Sequence, residues 1–379
     1  MTKERASMRF YRPTFAEIDL GAIRYNLRRI KQIVGKDIKI LAVVKADAYG
    51  HGMKEVSRAI VKEGVDYLGV TSLDEARELR QAGIKNKIIV LGAILPEEAE
   101  GVLRFNVIQT VSDLRIAKAL SRLGQAKNKT VKVHVKIDTG MGRLGFWHEE
   151  AVDIVKKIAS LKNIVIDGIF THFPSAEDDR AFTRRQISDF NAIVEELWRN
   201  NIDIPVKHAS NSMALVDFKD SHMNMVRPGL IMYGLYPKTS LAKRLRLKPA
   251  LRLKTKVCHV RPAPKGRSIS YGRTFIVKRP TRIATIPVGY GDGYSRHLSN
   301  KGHVLIKGKR ASIVGRVCMD MSMVDVGNLK TVRPGSDVVL IGAQGKEMIT
   351  AGEIARLTNT IPYEVVCNIG RRVPRIYKD

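Results

Sequence analysis

Apolar runs and helical stretches alternate along the first 240 residues of this 379-residue chain. Eight runs of four to seven residues are rich in β-branched side chains, which is typical of buried strands in parallel sheets. The runs occupy residues 40–44, 67–70, 88–91, 107–110, 131–137, 165–170, 206–209 and 223–226. Eight strand–helix repeats predict a (β/α)₈ barrel of the TIM type. The structural rival is a doubly wound open sheet, but no Gly-x-Gly-x-x-Gly follows the first run.

The hydrophobic period changes to two after residue 249, which predicts strands with one solvated face. Residues 236–249 are basic, weakly patterned and bounded by prolines, so we interpret them as a linker. Beyond them we expect strands at 282–288, 303–306, 311–314, 322–326 and 337–341, a helix capped by Thr350, and a last strand at 364–369. The α/β chain is thus predicted to have a barrel domain at 1–240 and a mainly β domain at 241–379.

The N-terminal residues, the apolar runs and the cysteines indicate no targeting segment, membrane span or metal site. Residues 1–16 are expected to be irregular, and they contain no apolar core of a signal peptide. No apolar run reaches the length of a transmembrane helix. Cys258, Cys318 and Cys367 lie far apart and match no metal-ligand spacing, so reduced thiols and no metal site are expected. A cytoplasmic protein that does not associate with membranes is the resulting expectation.

The charge of the chain is strongly basic and unevenly placed. The formal net charge is +29, and residues 241–379 hold 28 Lys and Arg against 8 Asp and Glu. This excess raises the hypothesis of a nucleic-acid-binding module. However, many of the charges alternate with apolar residues, as on a half-solvated strand, and no nucleic-acid-binding motif accompanies them. We therefore expect no specific nucleic acid partner, and an attraction for small anionic ligands instead.

One lysine stands where the first apolar run ends. Residues 43–52, VVKADAYGHG, place Lys45 between a buried strand and a helical stretch. A desolvated lysine loses its proton more easily and becomes a nucleophile for aldehydes. Tyr49 follows four residues later, where its hydroxyl could reach an anion at the start of the helix. The alternative is a lysine whose stem packs at the strand end while its amine remains in water.

These ten residues resemble the cofactor-lysine motif of alanine racemases, which are fold-type III pyridoxal phosphate (PLP) enzymes. Further motifs match the family in the same order, namely VKIDTGMGRLG at 135–145, NMVRPGLIMYG at 224–234, ISYG at 269–272, VCMD at 317–320 and the segment 362–375. The resemblance covers nearly the whole chain. It implies a cytoplasmic isomerase that interconverts L-alanine and D-alanine, with PLP as its cofactor and two active sites shared across a homodimer.

The resemblance assigns two catalytic bases. Lys45 holds the cofactor and acts on one face of the substrate's α-carbon, serving the D-enantiomer. Tyr271 acts on the opposite face, from the second domain of the partner subunit. A phenol is a poor base at neutral pH unless cations stabilise its phenolate, and the family uses His172 and Arg227 for this purpose. Without the motif, Tyr271 would be interpreted as a half-buried strand tyrosine.

The resemblance also assigns the binding residues. The cofactor-binding set comprises Lys45, Tyr49, His172, Asn211, Ser212, Arg227, Gly229, Leu230 and Tyr363. Arg227 faces the pyridine nitrogen, where it leaves the ring unprotonated because arginine does not give up its proton. Arg143 and Met319 bind the substrate carboxylate, and Met319 does so from the partner subunit. Tyr290 and Asp320 belong to the entrance and its support.

Strand alternation adds one prediction about Lys136. His134, Lys136 and Asp138 share one face of their predicted strand, which brings Lys136 near Arg143. Two unshielded cations at such a distance would repel each other. The family often resolves this by carbamylating the lysine to N-carboxylysine, and we carry that expectation to Lys136.

Alternatives remain open within and beyond this function. A racemase of broader specificity, acting on serine or other small amino acids, would use the same residues. A non-catalytic PLP-binding barrel would lack the second domain and hence Tyr271. The role in the cell that the resemblance implies is the supply of D-alanine for peptidoglycan.

Overall fold

The computed structural model describes residues 11–379. Eight parallel strands form a barrel in the order β10-β2-β3-β4-β5-β6-β8-β9. They are β2 (Lys39–Val43), β3 (Tyr67–Val70), β4 (Lys87–Val90), β5 (Ile108–Val111), β6 (Val131–Asp138), β8 (Ile164–Phe170), β9 (Val206–His208) and β10 (Met225–Val226). The two-residue strand β7 (Phe146–Trp147) pairs with β6. Each predicted run overlaps one of the eight barrel strands, and the predicted barrel is confirmed.

The barrel is nearly closed between β9 and β10. Backbone hydrogen bonds from the Asn224 N–H to the Lys207 carbonyl (3.4 Å) and from the Arg227 N–H to the Ser210 carbonyl (3.0 Å) bridge the two strands. The β8 strand carries a register shift against β6 opposite Val133 and His134. Almost every residue of the barrel strands is buried, because helices cover the outside while side chains fill the inside.

Helices surround the barrel. They are α1 (Leu20–Val34), α2 (Lys45–Gly50), α3 (Met53–Lys62), α4 (Leu73–Gln81), α5 (Ala99–Arg104), α6 (Leu114–Ala126), α7 (Ala151–Ala159), α8 (Arg180–Arg199) and α9 (Ala214–Asp217). Side chains cap the starts of α1, α4, α6 and α8, as in α1, where the Asp19 carboxylate accepts the Ala22 N–H at 2.7 Å. Ile23, Leu27 and Ile30 form its fully buried stripe. No helix within residues 11–379 is long and apolar enough to cross a membrane.

The second domain is mainly β, as predicted. Its strands are β11 (Leu251–Lys256), β12 (His259–Ala263), β13 (Ser268–Ile269), β14 (Phe275–Ile276), β15 (Thr281–Ile286), β16 (His303–Ile306), β17 (Lys309–Ser312), β18 (Ser322–Asp325), β19 (Asp337–Gln344), β20 (Glu347–Ile349) and β21 (Arg375–Lys378). Two helices, α10 (Ala351–Thr358) and α11 (Pro362–Cys367), follow β20. The largest sheet has the order β17-β16-β19-β11-β1-β21, in which β1 (Phe15–Asp19) is the strand before the barrel.

The start of the chain is therefore tied to its end. Strand β1 pairs antiparallel with β11 and parallel with β21. The carboxylate of Glu17 is buried and forms ion pairs with Lys254 at 2.9 Å and Lys378 at 2.6 Å. The expectation that residues 1–16 are irregular is wrong for the strand that begins at Phe15, and residues 1–10 lie outside the described part of the chain.

One predicted strand is a helix. We expected a strand at 364–369, but the chain forms α11 there. Pro362 stands at the start of this helix, where its missing N–H costs no hydrogen bond. A short apolar run does not distinguish strand from helix by itself, and here the helical turn brings Tyr363 and Cys367 to the same cavity.

The linker segment is ordered against the barrel. Leu241 and Leu245 are buried, and the Tyr236 hydroxyl donates to the Leu245 carbonyl at 2.9 Å. The Asn26 side chain of α1 donates to the Lys248 carbonyl at 2.8 Å and accepts the Lys248 N–H. The division of the domains at residue 240 stays a prediction.

Candidate active site

A cavity of about 630 Å³ opens at the carboxyl ends of the barrel strands. It brings together ten residues that the sequence assigned to the site, which are Lys45, Tyr49, Lys136, Arg143, His172, Asn211, Ser212, Arg227, Gly229 and Tyr363. Phe170, Glu177 and Cys367 also line it. Leu230 is fully buried directly after Gly229. The cavity thus lies where the barrel fold places its reactive groups.

The turn that carries Lys45 has a left-handed backbone. Ala46, Asp47, Ala48 and Tyr49 have φ angles between 52° and 54°, which L-residues rarely adopt in succession. Glu75 stabilises this turn, because its carboxylate accepts the Ala46 N–H and the Thr71 N–H, both at 2.7 Å. Such strain persists only where surrounding contacts enforce it, and it is a frequent feature of functional sites.

Two glycines let the second domain approach this turn closely. A Cβ on Gly50 would stand 2.2 Å from the carbonyl oxygen of Val366 in α11. A Cβ on Gly52 would stand 1.8 Å from the hydroxyl of Tyr377 in β21. Both glycines also have positive φ angles, of 78° and 93°. The sequence GHG after the lysine turn is therefore required by packing between the two domains.

The Lys45 amine is poised to lose its proton. Burial, and then the positive charge of Arg143, lower its pKa from the ordinary value. Glu75 opposes this shift. A lysine with a lowered pKa is a better nucleophile and a better general base near neutral pH.

An anion-binding cradle lies across the cavity from Lys45. The Gly229 N–H donates to the Ser212 hydroxyl at 3.0 Å, and a Cβ on Gly229 would stand 2.6 Å from the Tyr49 hydroxyl. The Tyr49 and Tyr363 rings lie 5.8 Å apart. The hydroxyls of Tyr49 and Ser212 thus flank a position that has no side chain at residue 229, and hydroxyl donors of this kind suit an anion such as phosphate.

The Arg227 guanidinium is buried at the floor of the cavity. It donates to the carbonyls of Thr171 (2.7 Å) and Ala209 (2.8 Å) and lies 2.9 Å from His208 Nδ1. Its second nitrogen lies 3.3 Å from His172 Nδ1. Burial lowers the pKa of Arg227 to about 9, so the guanidinium remains charged at neutral pH.

The link between Arg227 and His172 fixes the proton on His172. Arginine has only donors, so His172 Nδ1 accepts and the neutral ring carries its proton on Nε2. Burial, followed by the charge of Arg227, holds the pKa of His172 well below its usual range. The ring is therefore neutral and offers one N–H donor. The sequence-based link of these two residues in series agrees with this contact.

Lys136 and Arg143 line one wall of the cavity. Lys136 is 4% exposed, and its amine donates to the Ile137 carbonyl at 2.9 Å. Burial, and then the charge of Arg227, lower its pKa to about 7. The Asp138 carboxylate accepts backbone N–H groups of Gly140 (2.8 Å) and Arg143 (3.2 Å), which fixes the loop that carries Arg143.

The second-domain site residues lie on the surface of the chain. Tyr271, Tyr290 and Met319 are 71%, 43% and 53% exposed. None of them lines the cavity that the described residues form around Lys45. They are instead held near one another, since the Tyr290 N–H donates to the Cys318 carbonyl at 3.0 Å and Cys318 Sγ lies 3.4 Å from the Ser270 hydroxyl.

A buried carboxylate braces these exposed residues. The side chain of Asp292 is fully buried and pairs with Arg12 and Arg372. Arg372 also pairs with Asp320 at 2.8 Å and donates to the Met319 carbonyl at 3.3 Å. Arg372 thus links Asp320 to the backbone of Met319.

The backbone around Tyr271 is strained. Ser270 has a φ of 67° and a ψ of −176°, a region that only glycine adopts readily. Its hydroxyl donates to the Arg316 carbonyl at 2.6 Å. This bond fixes the residue before Tyr271.

Sequence reasoning missed several residues of the site. Glu75 is the Glu of a Ser-x-x-Glu helix start, and that pattern was a signal for its position. Phe170, Glu177 and Cys367 had no sequence signal of their own. The Asn211 side chain donates to the Phe173 carbonyl and accepts the N–H groups of Met213 and Ala214. Its assignment to the cofactor stays a prediction.

His51, His134 and His208 are hydrogen-bonded core residues of the barrel. His51 Nδ1 lies 2.9 Å from the Tyr49 carbonyl, and His134 contacts His208 at 2.9 Å. Within residues 11–379, no group of three or more His, Cys, Asp or Glu side chains could hold a metal ion.

The fold and the site define a barrel enzyme with a desolvated amine at its mouth and an anion cradle facing that amine. Two family models match the chain, alanine racemase N-terminal domain at residues 18–237 and alanine racemase C-terminal domain at residues 250–377. The chain therefore belongs to the alanine racemase family, whose members are isomerases.

Individual relatives agree with this membership. The alanine racemase of Halothermothrix orenii is 48% identical over 372 residues, which is 98% of both chains. The solved alanine racemase of Clostridium difficile 630 has a TM-score of 0.92 at 40% identity and covers 98% of this chain and 97% of its own. A Bacillus anthracis alanine racemase structure with bound L-Ala-P has a TM-score of 0.92 at 38% identity, covering 98% of this chain and 96% of its own.

Proposed function

We propose that this chain is a PLP-dependent racemase that interconverts L-alanine and D-alanine by a two-base mechanism. The observation that supports it most is the pairing of a desolvated Lys45 with an anion cradle and a buried Arg227 in one cavity. These residues fit the cofactor, because an aldehyde, a phosphate and a neutral ring nitrogen each find a suitable partner. Gly229 leaves open the space that a phosphate would need beside Tyr49.

In this proposal, the cofactor is held by its two ends. Lys45 would bind its aldehyde, while Tyr49, Ser212, Tyr363 and the N–H groups of Gly229 and Leu230 would bind its phosphate, for which the Gly229 N–H would leave the Ser212 hydroxyl. Arg227 donates a hydrogen bond to its ring nitrogen and leaves that nitrogen without a proton. When bound, PLP supplies the electron sink that makes the α-proton of an amino acid acidic.

The protein residues move the proton. Lys45, with its lowered pKa, takes or returns the proton on one face of the α-carbon. Tyr271 of a second subunit does the same on the other face, which inverts the centre without any swinging group. The Nε2–H of His172 is a donor that would stabilise the phenolate of that tyrosine, and Arg227 polarises the histidine.

The exposure of Tyr271 supports a homodimer with shared sites. Tyr271, Tyr290 and Met319 expose a phenol, a second phenol and a thioether on one chain, away from its own cavity. Large side chains of this kind are typical of interfaces. In the proposed dimer, Tyr271 and the Met319 backbone complete the partner's cavity, and Tyr290 narrows its entrance around a small substrate.

Carbamylation of Lys136 is part of the proposal. The amine is buried close to two arginines, and its pKa of about 7 leaves much of it unprotonated. An unprotonated amine adds to CO₂ to form a carbamate and releases one proton. The resulting anion would then sit between Arg143 and Arg227 and would orient Arg143 toward the substrate carboxylate. Native mass spectra should contain one extra carboxyl group per chain, which a Lys136→Met variant would lack.

The experiment that tests this function is an assay of D/L interconversion over several amino acids with the purified protein and PLP. We expect alanine to be racemised fastest, and Lys45→Ala to lose at least about 10³-fold in rate because the base and the cofactor attachment are both removed. Lys54→Ala, on the exposed side of α3, is the matched control. A protein that binds no PLP, or that racemises no amino acid, would refute the proposal.

Broader specificity is the second candidate. The same cavity would serve serine, and the assay distinguishes the two by their relative kcat/KM values. A non-catalytic PLP-binding role is disfavoured by the second domain, which presents Tyr271. A racemase of alanine would supply D-alanine for peptidoglycan.

A further inference from the structure

A line of hydrogen-bonded side chains runs from the floor of the cavity into the barrel and ends at Asp167. Arg227 lies 2.9 Å from His208 Nδ1, and His208 Nε2 lies 2.9 Å from His134 Nδ1. His134 Nε2 lies 3.4 Å from Asp167 Oδ2. Both histidine rings are fully buried, and Asp167 is the first member of this line to reach solvent, with 13% of its side chain exposed.

The direction of every hydrogen bond in this line is fixed by its two ends. Arg227 can only donate, so His208 Nδ1 accepts and the neutral ring carries its proton on Nε2. That proton is donated to His134 Nδ1, which leaves the His134 proton on Nε2, pointing at Asp167. An ionised carboxylate can only accept. All the donors therefore point toward the anion, and all the acceptors point toward the cation.

Burial keeps both rings neutral. It is the first cause that lowers the pKa of His134 and holds the pKa of His208 well below its usual range. The hydrogen bond from His134 lowers the pKa of Asp167 against the opposing effect of burial, so the carboxylate is ionised at neutral pH. The line thus joins one anion and one cation through two neutral rings.

The barrel is shaped around these rings. A Cβ on Gly168 would stand 2.5 Å from the His134 ring, so only glycine beside Asp167 leaves room for that ring. The register shift between β6 and β8 falls at the same point. The His208 ring is stacked on Phe170, with centroids 4.6 Å apart and planes 6° apart. Rings fixed in this way have little freedom to rotate.

Apart from the carbamate proposed for Lys136, no anion among the described residues pairs directly with Arg227. Among the described residues, no carboxylate lies within ion-pair distance of its guanidinium, which is 5% exposed. Its other polar contacts are two backbone carbonyls and His172, and its guanidinium lies 5.3 Å from the centroid of the Phe170 ring. An isolated buried charge is costly. The Asp167 carboxylate, which is connected to Arg227 through hydrogen bonds, reduces that cost.

We propose that Asp167 is a positioning residue that acts through His134 and His208 to hold the Arg227 guanidinium in place at the floor of the cavity. The inference deepens the proposed function and rests on it, because Arg227 acts there on the cofactor. Asp167 itself touches neither substrate nor cofactor. Its negative charge selects the ring tautomers, and the tautomers present an acceptor to Arg227.

Substitution of Asp167 by asparagine removes the negative charge but keeps nearly the same side-chain shape, so it tests the effect of the charge alone. The amide keeps an oxygen that can accept from His134, but its NH₂ group can also donate, so the opposite tautomer of His134 becomes accessible. If that tautomer forms, His208 turns a proton toward Arg227, and two donors face each other. Asp66→Asn is the matched control, since Asp66 lies at the same end of the barrel and accepts only the Ile40 N–H among its described contacts, at 2.8 Å.

The experiment compares the full-length wild type, Asp167→Asn and Asp66→Asn, each labelled with ¹⁵N-histidine. Solid-state ¹⁵N NMR reads which ring nitrogen carries the proton, with His134→Gln and His208→Gln used for assignment. Racemisation kinetics with PLP are measured in parallel. In the wild type we expect His134 and His208 to be protonated on Nε2 alone. In Asp167→Asn we expect a second tautomer and a kcat about fivefold lower in both directions, with KM within about twofold.

Two outcomes would overturn the proposal. One is a wild type in which His208 is protonated on Nδ1 or doubly protonated. The other is an Asp167→Asn variant whose tautomers and kcat match those of Asp66→Asn, even if its melting temperature falls, since that would show a purely structural carboxylate. Failure of the proposed function looks different, because a protein without racemase activity would still report its tautomers in the spectra.

Discussion

The barrel mouth and the Tyr271 surface carry the two halves of the proposed chemistry in opposite environments. At the mouth, Lys45, Lys136, His172 and Arg227 are desolvated, and burial shifts the pKa of each. On the second domain, Tyr271 is 71% exposed in the single chain and rests on a strained turn. One half is therefore activated by its own fold. In the proposal, the reactivity of Tyr271 depends on the cavity of a partner subunit.

This difference teaches where each half obtains its reactivity. The pKa of Lys45 is lowered without a second subunit, because burial and the charge of Arg143 both arise within the chain. In the proposed dimer, Tyr271 would gain the positive surroundings that a phenolate needs only in a partner cavity lined by His172 and Arg227. The division predicts that damage to one half can be rescued by an intact copy on another chain.

The largest expected effect comes from mixing two inactive variants. Lys45→Ala removes the barrel half of a site, and Tyr271→Phe removes the second-domain half. In a hybrid dimer, one site carries both changes and the other carries neither. The purified hybrid should therefore have about half of the wild-type activity per dimer, whereas each parent has about 1% or less.

The measurement is racemase activity after the two proteins are co-expressed with different tags and the hybrid is purified. Co-expression of two Lys45→Ala chains with different tags is the control and should restore nothing. A purified hybrid without activity would show that each site is built within one chain.

A smaller effect should distinguish the two faces of the substrate. Tyr271→Phe is expected to slow α-proton exchange from L-alanine by about 10²-fold, and exchange from D-alanine much less, because Lys45 still serves the other face. Exchange into deuterated water can be followed by ¹H NMR for each enantiomer. Tyr25→Phe, on the outer helix α1, is the control. Equal losses for both enantiomers would contradict the assignment of the two bases to opposite faces.

The smallest effect concerns stability, and it follows from the buried rings of the barrel. Burial lowers the pKa of His51 to about 4 and depresses those of His134, His172 and His208. The unfolded chain therefore binds more protons below about pH 6.5, so the free energy of unfolding falls as the pH decreases through that value. Each ring should contribute roughly 1 kcal/mol of loss between pH 7 and pH 5.5.

Urea unfolding at the two pH values, followed by far-UV circular dichroism, measures this loss. His51→Gln should reduce the pH dependence by about one proton. A stability that rises on acidification would show that these rings are not held neutral in the folded chain.

Much of the fold and the site was readable from the sequence, for reasons that differ from residue to residue. The barrel strands follow from buried apolar runs, and the helices follow from their caps, such as Asp19. Lys45 was conspicuous because a charged residue ended a buried strand. The family motifs located Tyr271 and Arg227, although their spacing alone suggests no shared chemistry.

Other features had no local signal. The run at 364–369 has the composition of a strand, yet contacts with the lysine turn select the helix α11. Strand β1 pairs with strands more than 230 residues later, and neither partner could be inferred from its own pattern. Asp167 is an ordinary acidic residue in sequence, and the Ser-x-x-Glu pattern marks Glu75 only as part of a helix start. Only their distances from Ala46 and His134 show what they do.

The sequence by itself determined the barrel, the mainly β second domain and the set of residues that bears the chemistry, because hydrophobic period, caps and motifs are local properties. The tertiary structure decided the environments of those residues. Burial lowers the pKa of Lys45, opposed contacts fix the protons of His134 and His208, and the exposed position of Tyr271 leaves it free for another chain. Desolvation and hydrogen-bond direction depend on groups far apart in sequence, so they emerge only when the chain is folded.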